Sequence, residues 1–336
     1  MSDMPAAARK TLYFHVGHGK TGSSYLQSCF ALSIDGLASC GISYPIAGTS
    51  LERGSAGHVS EGNLPPVTRD TGHTLAQLAA LLEMADPACT RGILISNEAL
   101  FYSMLRQDFL ATVKAAYPQF DIKVLLFIRD PLDHAVSAFQ QQLKGGLGDD
   151  ITVLLRNIAL PQQVARFLGA CQKAGLDVTV FNYNKHKKDL HGVTEGWLGL
   201  PAGTLTLPPR AKVNRSLSRS EMMVQRAFIK HIGRHARVFV ADALSNALPG
   251  IEAEKPYIPE PALSEFLDRM RAQVKPANRR IPAAEAYVIP TLAEAQATLP
   301  AEEESVITLT PEQIDVIARS LVKFIKPRYV TAKNQD

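Results

Sequence analysis

Apolar runs of strand length alternate along the chain with segments whose apolar residues recur at helical spacing. Residues 11–16 form a short apolar run containing β-branched and aromatic side chains, which predicts a buried strand. From Ser23 the period changes, and Leu26, Cys29 and Phe30 share a helical face. Residues 74–84 repeat that pattern with Leu75, Leu78, Ala79 and Leu82 on one side. Residues 92–96 predict a second strand and 104–117 another helix. Residues 122–128 (IKVLLFI) are almost continuously apolar, as a strand is when both faces of a parallel sheet are covered. A helix opened by Pro131 follows, with Leu132, Ala135, Val136, Phe139 and Leu143 as its buried stripe. A helix over 161–174 and a strand over 177–183 complete the pattern. The segment 184–219 reads as basic and irregular, and a helix resumes at about 219–233.

Strands alternating with helices predict an α/β fold built on a central parallel sheet flanked by helices. Two stretches break the rhythm. Residues 36–74 are rich in Gly, Ser, Pro and His and read as a long loop that could lie over a site, with His58 and His73 as candidate contacts. Between 249 and 311 nine prolines recur, which confines this region to short helices such as 261–274 and 311–325. The expected division is therefore a core over 1–240 and a Pro-rich, mostly helical extension over 241–336.

Composition narrows the function only slightly. With 336 residues, 46% hydrophobic and 20% charged, the chain resembles an ordinary soluble globular protein. A net charge of +4 suits an anionic ligand but is too weak to argue for nucleic acid. The four cysteines (Cys29, Cys40, Cys89, Cys171) have no metal-ligand spacing and read as reduced thiols of a cytoplasmic protein. No stretch reaches the roughly 18 apolar residues of a membrane span, and the first ten residues lack the apolar core of a signal peptide.

The chemistry concentrates at Gly17-His18-Gly19-Lys20-Thr21-Gly22-Ser23-Ser24, between the first strand and the first helix. Backbone N–H groups and the positive end of the helix dipole converge there, Lys20 adds a full charge, and Thr21, Ser23 and Ser24 add hydroxyls. The ATP/GTP phosphate loop would need a glycine where Phe14 stands. At the end of the third strand, Arg129-Asp130-Pro131 is followed by Ser137, which lies off the buried stripe; Arg129 thus stands where ligands bind in open α/β sheets. Glu98 closes the second strand at the same sheet edge and could serve as a general base, with His58 in reserve.

The string Lys20-Thr21-Gly22-Ser23-Ser24 after His15-x-Gly17, with Arg129-x-Pro131-x5-Ser137, resembles sulfotransferases that use 3′-phosphoadenosine 5′-phosphosulfate (PAPS), of a bacterial, carbohydrate-sulfotransferase-like kind. The resemblance covers about residues 11–220. It implies a P-loop-like fold, with PAPS as cofactor and 3′-phosphoadenosine 5′-phosphate (PAP) as product. His18, Gly19, Lys20, Thr21, Gly22, Ser23 and Ser24 would hold the 5′-phosphosulfate end, and Arg129 and Ser137 the 3′-phosphate. It also implies Lys20 as the group stabilising the leaving phosphate, Glu98 as the base, no metal, and a small-molecule or glycan hydroxyl as acceptor. Related Golgi enzymes carry a membrane anchor, and its absence here favours a cytosolic protein. A late basic cluster, Lys212-x-Asn214-Arg215-Ser216-x-Ser218, would bring Arg215 to the nucleotide; a serine-capped helix start is its other reading. Tyr183 and Trp197 could stack on adenine or sugar, or belong to the core. The family pattern often shows a second basic residue and a tyrosine where this chain has Asp133-His134 and Phe139. Two other functions fit the same loop: a nucleotide-dependent phosphotransferase, or a nucleotide-binding protein without catalysis.

Overall fold

A computed structural model describes residues 9–46, 48–56, 62–64, 70–148, 150–208 and 215–333. It is an α/β protein with one five-stranded sheet: β1 (Thr11–Gly17), β2 (Ile42–Ser43), β3 (Gly92–Ser96), β4 (Asp121–Ile128) and β5 (Asp177–Asn182). The spatial order is β2-β3-β1-β4-β5, and every neighbouring pair is parallel. β1 is central and buried along its whole length, which explains its lack of polar alternation. From β1 the chain crosses to the edge strand β2 and steps back to β3 on one side, then passes β1 to β4 and moves out to β5 on the other. The boundary between β1 and β4 is therefore the point where strand order reverses, a position that parallel sheets use for ligands.

The chain divides into two compact units interleaved in sequence. The first comprises Met1–Pro131, Ala159–Val213 and Ala272–Val288; the second comprises Leu132–Ile158, Asn214–Arg271 and Ile289–Asp336. The first unit contains the sheet. α1 (Ser23–Leu32) packs Leu26, Cys29 and Phe30 into a core with Tyr13, Leu94, Leu125 and Phe127. Phe101 and Phe167 stack at 5.1 Å beside it.

The region read as a long loop holds more structure than its composition suggested. It contains helices Ile34–Ser39 and Gly48–Ser55, the short β2, and the start of helix Thr71–Glu83, which Asp70 caps through the Gly72 amide. The basic segment after β5 likewise contains a helix, Leu190–Leu198, ended by Gly199 at φ 62. Trp197 stands edge-on to Tyr13 at 5.5 Å, as part of the core.

The second unit is helical. Helix Pro131–Lys144 buries the predicted stripe, with Ala135, Phe139 and Leu143 at 1% exposure or less. Phe239, Val240, Leu244 and Val316 form a separate apolar cluster. Proline shortens the helices less than expected. Glu260–Asn278 tolerates Pro276 near its end, and Pro311–Lys333 starts on its proline, the first-turn position where a missing N–H costs nothing.

Candidate functional site

Parallel pairing carries four chain segments to one edge of the sheet. His15 pairs with Ser96, Gly17 with Phe127 and Ile128 with Asn182, so β1, β3, β4 and β5 all end together. The residues that follow are the glycine-rich loop, Asn97-Glu98, Arg129 and Tyr183, all in the first unit.

The loop turns through two left-handed residues, Lys20 at φ 74 and Gly22 at φ 85. Lys20 is the single non-glycine residue with positive φ among those described, a conformation that costs an L-residue about 1–2 kcal/mol. Gly22 is the N-cap of α1 and brings no capping side chain, so the first-turn amides of α1 are not satisfied by one. The left-handed backbone at Gly22 favours glycine, and a Cβ there would also crowd Leu190 Cδ1 at 2.5 Å and Tyr183 Cε2 at 3.1 Å.

Glu98 reaches back to this loop. A Cβ on Gly17 would lie 4.0 Å from Glu98 Cγ, and one on Gly19 would lie 3.4 Å from Glu98 Oε2. Burial pushes the Glu98 carboxyl above the ordinary carboxylate range, although the Ser23 hydroxyl and the Lys20 charge pull the other way. Lys20 is lowered, first by burial and then by the Arg129 guanidinium, with Glu98 opposing. Lys20 thus feels both the Arg129 guanidinium and the Glu98 carboxylate. Arg129 Nη1 donates to the Lys20 carbonyl at 3.0 Å, and its guanidinium lies 5.0 Å over the Tyr183 ring.

Other predicted residues take different parts. The His18 ring is buried edge-on to Phe101 at 6.1 Å, with Nδ1 at 3.2 Å from the Gly19 carbonyl, so it serves the loop's underside. The Thr21 hydroxyl donates to the His18 carbonyl at 2.9 Å inside the turn, which corrects its expected role as a hydroxyl donor outward. Ser23 is 2% exposed and turned toward Glu98, while Ser24 is half-buried on the first turn of α1. His73 is exposed and 3.0 Å from Gln77, and His58 lies outside the described residues.

Ser137 and Arg215 belong to the second unit. Ser137 is half-buried, off the apolar stripe of its helix. Arg215 is corrected outright. Its five N–H donors meet the carbonyls of Leu248, Ser216 and Leu244 and both oxygens of Glu221, at 2.7–3.2 Å, leaving none for a phosphate. Ser218, not Ser216, caps the next helix, in a reciprocal capping box with Glu221. Lys212 and Asn214 lie outside the described residues.

The sequence reading missed the supports beneath the site. Asp130 Oδ1 accepts from Asn182 Nδ2 and from the Val288 amide, both at 2.9 Å, and the Asp130 amide donates to Asn184 Oδ1 at 3.0 Å. His15 Nδ1 sits 2.8 Å from Ser96 Oγ, and burial lowers its pKa to about 4, so the ring is neutral. A histidine inside an apolar strand was the available signal for that second pair.

No family model matches the chain, and no curated protein matches it. Among solved structures, it is similar to a sulfotransferase domain from the curacin biosynthetic pathway, at 15% identity and a TM-score of 0.32, over 79% of this chain and 99% of that one. A likeness at that TM-score carries no weight for activity. Among the described residues, no helix is long and apolar enough to cross a membrane, and no cluster of three His, Cys, Asp or Glu side chains could hold a metal ion.

Proposed function

We propose that this protein transfers a sulfuryl group from PAPS to a hydroxyl of a carbohydrate-type acceptor. The observation that carries the reading is the convergence of Lys20, Arg129 and Glu98 on one uncapped strand–loop–helix turn beside the strand-order reversal. The donor set fits a phosphorylated adenosine. Two cations that disfavour each other's charge gain from a bound dianion, and the start of α1 adds amide donors.

PAPS, when bound, supplies the activated sulfuryl group and leaves as PAP. Lys20 then offers positive charge to the departing phosphate from a partly desolvated position, where a charge acts more strongly than in water. Glu98, raised by burial and steadied by Ser23, accepts the proton of the acceptor hydroxyl. A carboxyl with raised affinity for protons suits that task better than an exposed one. Gly17 keeps the space beside Ser23, the partner of Glu98, open, since a Cβ there would sit 2.7 Å from the Ser23 hydroxyl.

Titration of PAP and ATP side by side, in metal-free buffer, tests the binding half. PAP is expected to bind at least tenfold more tightly; productive binding of ATP with magnesium, and none of PAP, would sink the reading. For the chemical half, transfer of labelled sulfate from PAPS to a panel of glycans is measured. Lys20→Ala is expected to lower turnover by about 100-fold or more, the usual scale for losing one preorganised charge donor. PAP affinity without transfer to any acceptor would instead leave a nucleotide-binding protein.

A further inference from the structure

Residues that follow two strand ends, β4 and β5, close on the backbone between Gly19 and Ser23. Arg129, after β4, donates from Nη1 to the Lys20 carbonyl at 3.0 Å. The same guanidinium covers the Tyr183 ring, after β5, at 5.0 Å from its centroid. The Tyr183 ring also borders Gly22, where a Cβ would come within 3.1 Å of Tyr183 Cε2 and 2.5 Å of Leu190 Cδ1. The two residues held this way, Lys20 and Gly22, are the loop's two left-handed positions. Lys20 has a reason to leave that conformation, because only glycine occupies it without cost. An external hold is therefore required, and the contacts supply one on each side of Thr21.

We infer that Arg129 and Tyr183 are positioning residues that lock the anion loop in its ligand-ready shape, Arg129 from the Lys20 carbonyl and Tyr183 by packing against both the guanidinium and Gly22. This assigns Arg129 to the same end of the ligand as Lys20, and gives Tyr183 a part in binding although it carries no charge. A guanidinium suits the task because its planar fork can donate to a carbonyl while its face stacks on a ring. The nucleotide measurements below rest on the proposed function; the exchange measurement does not.

Hydrogen–deuterium exchange over residues 17–25 is measured on the full chain without ligand. Arg129→Ala and Tyr183→Ala are each expected to speed exchange there by about tenfold or more, because the local opening is no longer opposed. Tyr183→Phe, which keeps the ring, is expected to restore the original rate. Circular dichroism establishes that each variant is folded, and the tyrosine pair decides the matter if Arg129→Ala does not fold. With nucleotides, Arg129→Ala is expected to weaken adenosine 5′-phosphosulfate, which lacks a 3′-phosphate, by about the same tenfold factor as PAP. Tyr183→Ala is expected to weaken both as well.

Unchanged loop exchange in the folded alanine variants overturns the brace. So does an Arg129→Ala protein that loses PAP yet holds adenosine 5′-phosphosulfate as before, for the guanidinium would then serve the 3′-phosphate alone. If the unsubstituted protein binds neither nucleotide, the sulfuryl-transfer reading fails, while the exchange rates still decide the brace.

Discussion

Glu98 illustrates how a single side chain can be costly to the fold and useful to the site. Burial raises its carboxyl above the ordinary range more than Ser23 and Lys20 lower it, so folding makes the carboxyl harder to ionise than it is in the unfolded chain. Between the unfolded and folded titration ranges the native state binds more protons, and stability falls as pH rises through that window. Glu98→Gln is therefore expected to raise the melting temperature at pH 7 and to abolish transfer. The gain should vanish below the ordinary carboxylate range, where both states are protonated; calorimetry at pH 7 and at pH 3.5 checks it. A melting temperature at pH 7 that falls would show the carboxylate to be net stabilising, against the direction of its titration. Lys20, Glu98 and Arg129 were legible in the sequence because each directly follows an apolar run, and a parallel sheet sends such residues to one edge. The hydroxyl of Thr21 was not. Whether a loop hydroxyl faces a ligand or closes its own turn depends on backbone angles, here the left-handed Lys20 that brings Thr21 Oγ1 to the His18 carbonyl.

At the level of elements, the sheet's edge shows the limit of periodicity. β2 is only two residues long and covers Gly92 and Ile93 of β3. Further along, Asn63 takes over as a substitute strand. Its amide donates to the Ser96 carbonyl at 3.2 Å, its Oδ1 accepts from the Ser96 amide at 2.8 Å, and its Nδ2 donates to the Leu94 carbonyl at 2.9 Å. Gly62, at φ 90, lets the chain approach so closely that a Cβ would lie 1.8 Å from the Ser96 carbonyl oxygen. A strand made by one side chain leaves no alternation to read, and neighbouring glycines and prolines made the whole stretch resemble a loop. The long apolar runs of β1 and β4 had no such ambiguity. Asn63→Ala is expected to cost about 1–3 kcal/mol, because the Ser96 amide and Leu94 carbonyl are left buried without these partners. Ser96 also holds His15 and precedes Glu98, so exchange at 94–98 should rise with the loss of stability. Urea unfolding together with exchange over that segment measures both. A loss of stability with exchange at 94–98 unchanged would place the effect elsewhere.

For the molecule as a whole, the second unit's buried ion pair separates stability from binding. The resemblance offered Arg215 as a ligand for the nucleotide, since a basic residue near a helix start is compatible with either use. Only a count of acceptors decides, and all five of its donors are taken. Its partner Glu221 is fully buried; burial alone would raise that carboxyl, but Arg215, the Ser218 amide and Gln313 more than offset this and hold it below the ordinary range. A carboxyl lowered in the folded state contributes stability above its unfolded titration range, and the contribution is lost as pH falls through the folded value. Arg215→Met removes the cation and strands the carboxylate in the interior, which typically costs about 3–5 kcal/mol. The loss is expected to be largest at neutral pH and to narrow in acid, where Glu221 of the variant takes up a proton and no longer needs a counter-charge. The affinity of the folded variant for PAP, measured well below its melting temperature, is expected to match that of the unsubstituted protein. A tenfold loss of PAP affinity with an unchanged melting temperature would mean that the guanidinium leaves its five acceptors for the ligand.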